Sequence, residues 1–103
     1  MVSIESWGVI PGDSNILIRG RIRFIDGSVL SVREFWSKGT LIKYSYYWFY
    51  PNGRLRIGWD NAPHHTKITT YPHHKHVKSK QNIVESHEHN LFSVLEYIRK
   101  AIL

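Results

Sequence analysis

Apolar and polar residues alternate along four segments of the chain, and a turn signal marks each boundary between segments. The turn signals are the dipeptides Asp26-Gly27, Lys38-Gly39 and Asn52-Gly53. Asp-Gly and Asn-Gly favour the positive φ angles of two-residue hairpin turns. The segments are rich in β-branched and aromatic residues, as strands are, and they cover residues 15–25, 28–37, 40–50 and 54–60. Because strands joined by tight turns are antiparallel neighbours, the pattern predicts a four-stranded meander.

The period-two alternation assigns faces to these strands. In the first strand, Arg19, Arg21 and Arg23 share one face, and isoleucine and phenylalanine side chains share the other. In the fourth strand, Arg54 and Arg56 oppose an apolar face in the same way. The third strand is apolar on both sides, which is typical of a central strand. The cationic face is either a solvated surface or a binding surface for a polyanion.

The C-terminal residues have helical spacing instead. Asn90 is suited to an N-cap, and the apolar stripe of an amphipathic helix follows it: Leu91, Val94, Leu95, Ile98, Ala101 and Ile102. Between the fourth strand and this helix, "TKITTY" (66–71) and "HHKHVK" (73–78) are candidates for additional strands, because a long irregular segment is unusual in a compact domain. The expected fold class is α+β: a four- to six-stranded antiparallel meander sheet with a C-terminal amphipathic helix packed on one face.

Composition narrows the functional classes. The length of 103 residues fits a single domain, 1–103, and the absence of cysteine excludes disulfides and thiolate metal sites. The formal net charge of +6 favours nucleic acid or an acidic protein as a partner. No signal-peptide pattern is present, and no apolar run approaches the roughly 20 residues of a membrane helix. We therefore expect a cytoplasmic protein with no membrane partner.

The segment from Trp59 to Lys78 holds five of the seven histidines and two copies of Pro-His-His. A zinc site needs three or four converging ligands. His74 and His76 would share a strand face, and His64 or His65 could approach them, but the spacing does not fix that convergence. The histidines could equally be hydrogen-bonded side chains of an ordered loop. Because adjacent residues of a strand point to opposite faces, at most half of them can meet one substrate.

Acid–base chemistry is the third interpretation of the segment. Cleaving RNA without a metal requires a base for the 2′-hydroxyl proton, an acid for the leaving 5′-oxygen and cations for the phosphate. We take His64 and His74 as the base and acid, in no fixed order, with Asp60 positioning an imidazole. The other candidates for proton transfer are His65, His73 and His76. The candidates for contacting RNA are Arg54, Arg56, Lys75, Tyr46 and Tyr47.

The stretch "KYSYYWFYPNGRLRIGWDNAPHH" and the following "YPHHKHV" resemble the TumE family of small toxins from type II toxin–antitoxin modules. The resemblance is close over residues 43–76. The rest of the chain shares only the general order of the predicted elements. His87 and His89 lie outside the shared motifs. The positions that match are Tyr44, Tyr46, Arg54, Trp59, Asp60, Asn61, Pro63, His64, His65, Pro72, His73, His74, Lys75 and His76.

The resemblance implies a toxin that acts on RNA and is paired with a small DNA-binding antitoxin. The leading hypothesis is a metal-independent ribonuclease that uses the clustered histidines, with no cofactor. Two alternatives stay open: a non-catalytic module that binds RNA or protein, and a metal-dependent hydrolase with a histidine metal site. A homodimer is compatible with the sequence.

Overall fold

The computed structural model of the chain describes residues 2–103. Seven strands form one sheet in which each strand pairs antiparallel with its sequence neighbours, in the order β1-β2-β3-β4-β5-β6-β7. One helix follows the last strand. The elements are β1 Val2–Pro11, β2 Asn15–Phe24, β3 Val29–Ser37, β4 Thr40–Phe49, β5 Leu55–Asp60, β6 His74–Val77, β7 Ile83–Glu85 and α1 Leu91–Ile102.

The turn between β3 and β4 shows how the sequence closes a hairpin of the meander. Ser37 pairs with Thr40, so only Lys38 and Gly39 form the loop. Their φ angles are 50° and 78°, both in the left-handed region. Two consecutive positive φ angles match the right-handed twist of the flanking strands. Glycine adopts this conformation without steric cost, so the predicted turn is confirmed here.

One face of the sheet carries the hydrophobic core, and α1 packs on it; we call it the core face. Its centre consists of aromatic and aliphatic side chains of the middle strands together with the buried stripe of the helix: Leu30, Val32, Tyr46, Trp48, Trp59, Val94 and Ile98. The helix begins after Asn90, whose side chain accepts a hydrogen bond from the backbone N–H of Ser93. The predicted helix, its cap and its packing on the apolar face are confirmed.

The opposite face of the sheet, which we call the open face, is organised in rows of directly paired residues. Such residues share a face. One row runs through Arg19, Arg33, Ser45, Asp60 and His74 across strands β2 to β6. The next row runs through Arg21, Ser31, Tyr47, Gly58 and His76. The open face therefore places basic side chains at one end of each row and histidines at the other.

The α+β class is confirmed, but the expected number of strands is wrong, since the sheet has seven strands and not four to six. The first strand, β1, was not expected, because Val2–Pro11 carries no clear alternation. The candidate strand "TKITTY" is wrong as well, since this segment consists of turns. "HHKHVK" does contain a strand, β6. None of the helical segments in residues 2–103 has the length and apolar character to cross a bilayer.

Candidate active site

Three buried polar side chains meet on the open face where β5 pairs with β6. The Asp60 carboxylate lies opposite His74 in the register. Its Oδ1 is 2.8 Å from Nε2 of His74, and its Oδ2 is 3.2 Å from Nε2 of His76. The exposed fractions are 9% for Asp60, 2% for His74 and 7% for His76. We call these three residues the Asp–His cluster.

Each imidazole of the cluster also forms a hydrogen bond to a backbone carbonyl through its Nδ1 atom. Nδ1 of His74 lies 3.0 Å from the carbonyl oxygen of Pro72, and Nδ1 of His76 lies 2.8 Å from that of Lys80. A carbonyl oxygen only accepts, so each Nδ1–H is the donor. The Asp60 carboxylate is fixed too, because its Oδ1 accepts from the backbone N–H of Ala62 at 3.0 Å. The geometry of the cluster is therefore rigidly determined.

Tyr47 borders the cluster on β4. Its hydroxyl donates to Oδ2 of Asp60 at 3.3 Å. Its ring lies over Gly58, where an added Cβ would be only 3.2 Å from three ring atoms, so the absence of a side chain there makes room for it. Burial, followed by the charge of Asp60 and the hydrogen bond to it, raises the pKa of Tyr47 to about 12. The hydroxyl therefore keeps its proton at neutral pH.

His65 covers the cluster from the turn region between β5 and β6. Its ring centroid lies 4.7 Å from that of His74 and 6.2 Å from that of His76. Partial desolvation lowers the pKa of His65, and the neighbouring His74, His76 and His64 lower it further, although Asp60 opposes them. The result is an imidazole that is neutral near pH 7 and more exposed than the pair beneath it.

An open depression of about 350 Å³ lies next to Tyr47 on the open face. Two basic side chains line it, Arg33 from β3 and Lys80 from the β6–β7 connection. Among residues 2–103, neither of them forms an ion pair. A second depression of similar size adjoins it along the strands and contains Arg19, Arg33 and Lys43. Unneutralised cations beside an Asp–His cluster form a surface suited to a polyanion.

The other predicted proton-transfer residues, His64 and His73, form no contact with the cluster among residues 2–103. His64 is exposed, and no contact joins it to Asp60 within residues 2–103. His73 points to the other side of β6, where its Nδ1 is 2.7 Å from the Tyr44 hydroxyl and its ring stacks on His89 at 3.7 Å. The structure thus brings Asp60, His65, His74 and His76 together and leaves out His64 and His73.

Of the residues predicted to contact RNA, only Tyr47 borders the cluster. Tyr46 is buried on the core face, where its hydroxyl donates to Glu34, and its pKa is raised by burial and by that carboxylate. Lys75 forms an ion pair with Glu88 at 3.2 Å, beside Trp59 in the register. Both side chains are therefore part of the packing around α1.

The two arginines of β5 and its turn also lie elsewhere. A register shift in the β4–β5 pairing skips Arg56, whose guanidinium lies 3.9 Å from the centroid of the Trp48 ring on the core face. Its Nη1 is 3.4 Å from Asp26. Arg54 is exposed beside the turn between β4 and β5, near Lys78. Simple alternation could not have located Arg56, because the register shift interrupts the period of two.

Sequence reasoning missed Arg33 and Lys80 as site residues. Arg33 had no reliable signal, since counting outward from the Lys38-Gly39 turn would pair it with Tyr44, whereas a register shift between Phe35 and Trp36 places it opposite Ser45. Lys80 had none, because the connection between β6 and β7 contains no periodic pattern. Both were found only through the fold.

Fold and cluster together define a class: small α+β proteins whose meander sheet carries a buried carboxylate–histidine cluster on a basic face. A family model described as Toxin TumE matches residues 3–102, essentially the whole chain. The chain belongs to the TumE toxin family, and the predicted resemblance is confirmed. Searches of curated proteins and of solved structures gave no significant match.

Proposed function

We propose that this toxin acts on RNA as a metal-independent endoribonuclease, and that cleavage takes place where the Asp–His cluster borders the Arg33–Lys80 depression. The observation that carries the proposal is the adjacency of two unpaired cations, a protonated tyrosine and a histidine cluster on one face of the sheet. Phosphate binding, proton removal and proton donation are the three tasks that RNA cleavage needs, and each has a candidate group here.

His65 and Tyr47 are the groups of this surface that we assign to contact with RNA. His65 is neutral and takes the proton of the 2′-hydroxyl, whose oxygen then attacks phosphorus to form a 2′,3′-cyclic phosphate. The bond from phosphorus to the 5′-oxygen breaks, and Tyr47 donates its proton to that oxygen. With a pKa of about 12, this phenol keeps its proton at neutral pH and is still a stronger acid than the alcohol that leaves. Arg33 and Lys80 hold the phosphate.

The buried members of the cluster position these two groups. Asp60 accepts from Tyr47, and His74 lies against the ring of His65. Asp60, His74 and His76 therefore act through Tyr47 and His65 instead of touching RNA themselves. This assignment differs from the sequence-based pair of His64 and His74, because His74 is buried whereas the His64 side chain is exposed and forms no contact with it among residues 2–103.

Incubation of the purified protein with RNA in EDTA tests the proposal. We expect cleavage products that end in a 2′,3′-cyclic phosphate, and a rate that falls about 100-fold or more in Tyr47→Phe, as for loss of a general acid. Arg33→Gln should weaken RNA binding and reduce its dependence on salt, since one phosphate contact is lost. Arg99→Gln on α1 is the matched control and should behave like the parent protein. Full cleavage by Tyr47→Phe would remove this residue from the mechanism.

Two other functions give different results in the same assay. A module that only binds RNA or protein would show salt-sensitive binding and no product. A metal-dependent hydrolase would show no RNA cleavage in EDTA and would cleave RNA after zinc or manganese is added. Expression of the chain alone should arrest growth in all three cases, so the growth assay tests the toxin role and the RNA assay tests the chemistry.

The toxin family indicates an antitoxin partner in general. We propose that this partner is a small DNA-binding protein encoded beside the toxin. Co-expression of the two should restore growth, and the complex should co-purify. Size-exclusion chromatography of the toxin alone tests the predicted homodimer.

A further inference from the structure

We infer that Asp60, His74 and His76 form a binding site for one divalent transition metal ion of the zinc class. The inference goes beyond the proposed function, and it rests on the geometry, contacts and charge of these three side chains. The three ligand atoms all lie within 4.8 Å of one another, and all three residues are buried.

The orientation of the imidazoles is the first argument. Both Nδ1 atoms face backbone carbonyls, so both must carry the hydrogen. The Nε2 atom of a neutral imidazole in this tautomer carries a lone pair. Both lone pairs then point at oxygens of the same carboxylate, at 2.8 Å and 3.2 Å. Lone pairs facing at such distances repel unless a positive species lies between them, and only protons or a metal ion can do so.

The outer contacts are the second argument. Histidines that bind metal donate their other ring N–H to a carbonyl or carboxylate, which fixes the tautomer and the ring orientation. His74 and His76 both have this contact, to Pro72 and Lys80. The carboxylate is also supported, since Ala62 donates its backbone N–H to Asp60. Supported ligands of this kind are preorganised for an ion.

The size of the cluster is the third argument. Ligand atoms about 2.1 Å from one ion are at most about 4.2 Å apart. The largest separation in the cluster is within 4.8 Å, so small side-chain rotations would complete the site. Two imidazole nitrogens and one carboxylate oxygen suit zinc, cobalt or nickel, whereas magnesium requires oxygen ligands.

The charge of the cluster is the fourth argument. With a proton on each Nε2, the cluster consists of two imidazolium groups and one carboxylate. One divalent ion in place of the two protons leaves the net charge unchanged. Metal binding therefore adds no unbalanced charge to a buried site, which would otherwise be costly.

The metal and the proposed acid–base chemistry would compete for Asp60. An ion bound to a carboxylate oxygen draws that group away from the Tyr47 hydroxyl, which now donates to Oδ2. The metal-loaded protein should therefore cleave RNA more slowly than the protein in EDTA. Zinc would act as an inhibitor of the acid–base route.

The binding test uses the full-length protein without a polyhistidine tag, since a tag would bind the same ions. Titration calorimetry with zinc chloride should give one site per chain, and cobalt(II) should develop the visible absorption bands of a four-coordinate site. Zinc should also raise the thermal midpoint, because a ligand that binds only the folded state stabilises it. Magnesium should have none of these effects.

Asp60→Asn and His76→Gln test the ligands, because both keep the approximate shape and the capacity to hydrogen-bond. Each should lower zinc affinity by at least tenfold. Removing a residue that only hydrogen-bonds to a metal ligand already lowers affinity about 10- to 100-fold, and removing a ligand should cost no less. His87→Ala is the matched control, since that side chain is 74% exposed and its ion-pair partner among the described residues is Glu85, which is not one of the three ligands. If either variant fails to fold, the cobalt spectrum of the parent protein still decides the question.

The outcomes separate the site from the proposed function. Absence of zinc binding or of cobalt bands in the parent protein overturns the metal site, whatever the RNA assay shows. Unchanged affinity in Asp60→Asn and His76→Gln overturns the ligand assignment. Zinc binding together with cleavage in EDTA supports both proposals. Zinc binding together with cleavage only in zinc supports the metal site and overturns the metal-independent mechanism.

Discussion

The tripeptide Pro-His-His occurs twice in the chain, and its two copies have different structures. The first copy, residues 63–65, lies in turns between β5 and β6, with His64 exposed and His65 over the ring of His74. The second copy, residues 72–74, leads directly into β6. There His73, the residue before the strand, contacts Tyr44 on the core face, and His74, the first residue of β6, contacts Asp60 on the open face.

The comparison shows that pairing with β5, and not the local sequence, decides what each histidine does. His74 is buried because it lies opposite Asp60 in an antiparallel ladder. His64 has the same preceding proline and the same following residue type as His73, but the residue after His73 begins β6, whereas the residue after His64 lies outside any strand. Four histidines in identical tripeptides should therefore respond to substitution to four different degrees.

His74→Ala should have the largest effect. It removes the contacts to Asp60 and to Pro72 at a site that is 2% exposed. Loss of one partner from a buried pair should lower the free energy of unfolding by about 3 kcal/mol. Urea unfolding measures the change, and His87→Ala serves as the control. A loss no greater than that of the control would show that the Asp60 contact does not stabilise the protein.

His65→Ala should have the second-largest effect, and it should affect activity more than stability. Removing the proposed general base should slow RNA cleavage about 100-fold, while the free energy of unfolding changes by less than about 1 kcal/mol. Cleavage rates and urea midpoints measured on the same preparation separate an effect on activity from an effect on stability. If cleavage and stability fall together, His65 is a packing residue and another group takes the proton.

His73→Ala should have a moderate effect confined to stability. Loss of the hydrogen bond between His73 and Tyr44 should lower the free energy of unfolding by about 1 kcal/mol. A double-mutant cycle with Tyr44→Phe isolates that contact, because the two single changes should not add. RNA cleavage should stay at the parent level, since His73 faces away from the cluster. A strong loss of cleavage would place His73 in the mechanism.

His64→Ala should have the smallest effect. The side chain is exposed, so stability should change by less than about 0.5 kcal/mol, and cleavage should be unaffected. A large loss of cleavage would restore the sequence-based choice of His64 and would show that the turn region moves when RNA binds.

Much of the fold follows from local rules. The three glycine turns and the period of two identify β2 to β5, and the 3.6-residue spacing after Asn90 identifies α1. The short strands β6 and β7, of 4 and 3 residues, contain too few positions to show a period. β1 is exposed along its whole length, so it carries no pattern of burial that a sequence could reveal.

The candidate site could be predicted only in part. The sequence indicated Asp60 as a partner for an imidazole, and the structure places it against His74 and His76. It could not rank the five histidines, because the ranking depends on the register between β5 and β6, separated by a long irregular segment. The sequence also indicated Arg56 as a site residue, but the position of Arg56 depends on a register shift that no local sequence pattern predicts.

Because every strand pairs only with its neighbours in sequence, the sheet can grow in the order of synthesis. Asp60 and Tyr47 leave the ribosome before either imidazole of β6. A nascent or truncated chain that stops short of residue 74 holds most of the basic surface but none of the buried histidines. The protein should therefore acquire affinity for polyanions before His74 and His76 complete the Asp–His cluster.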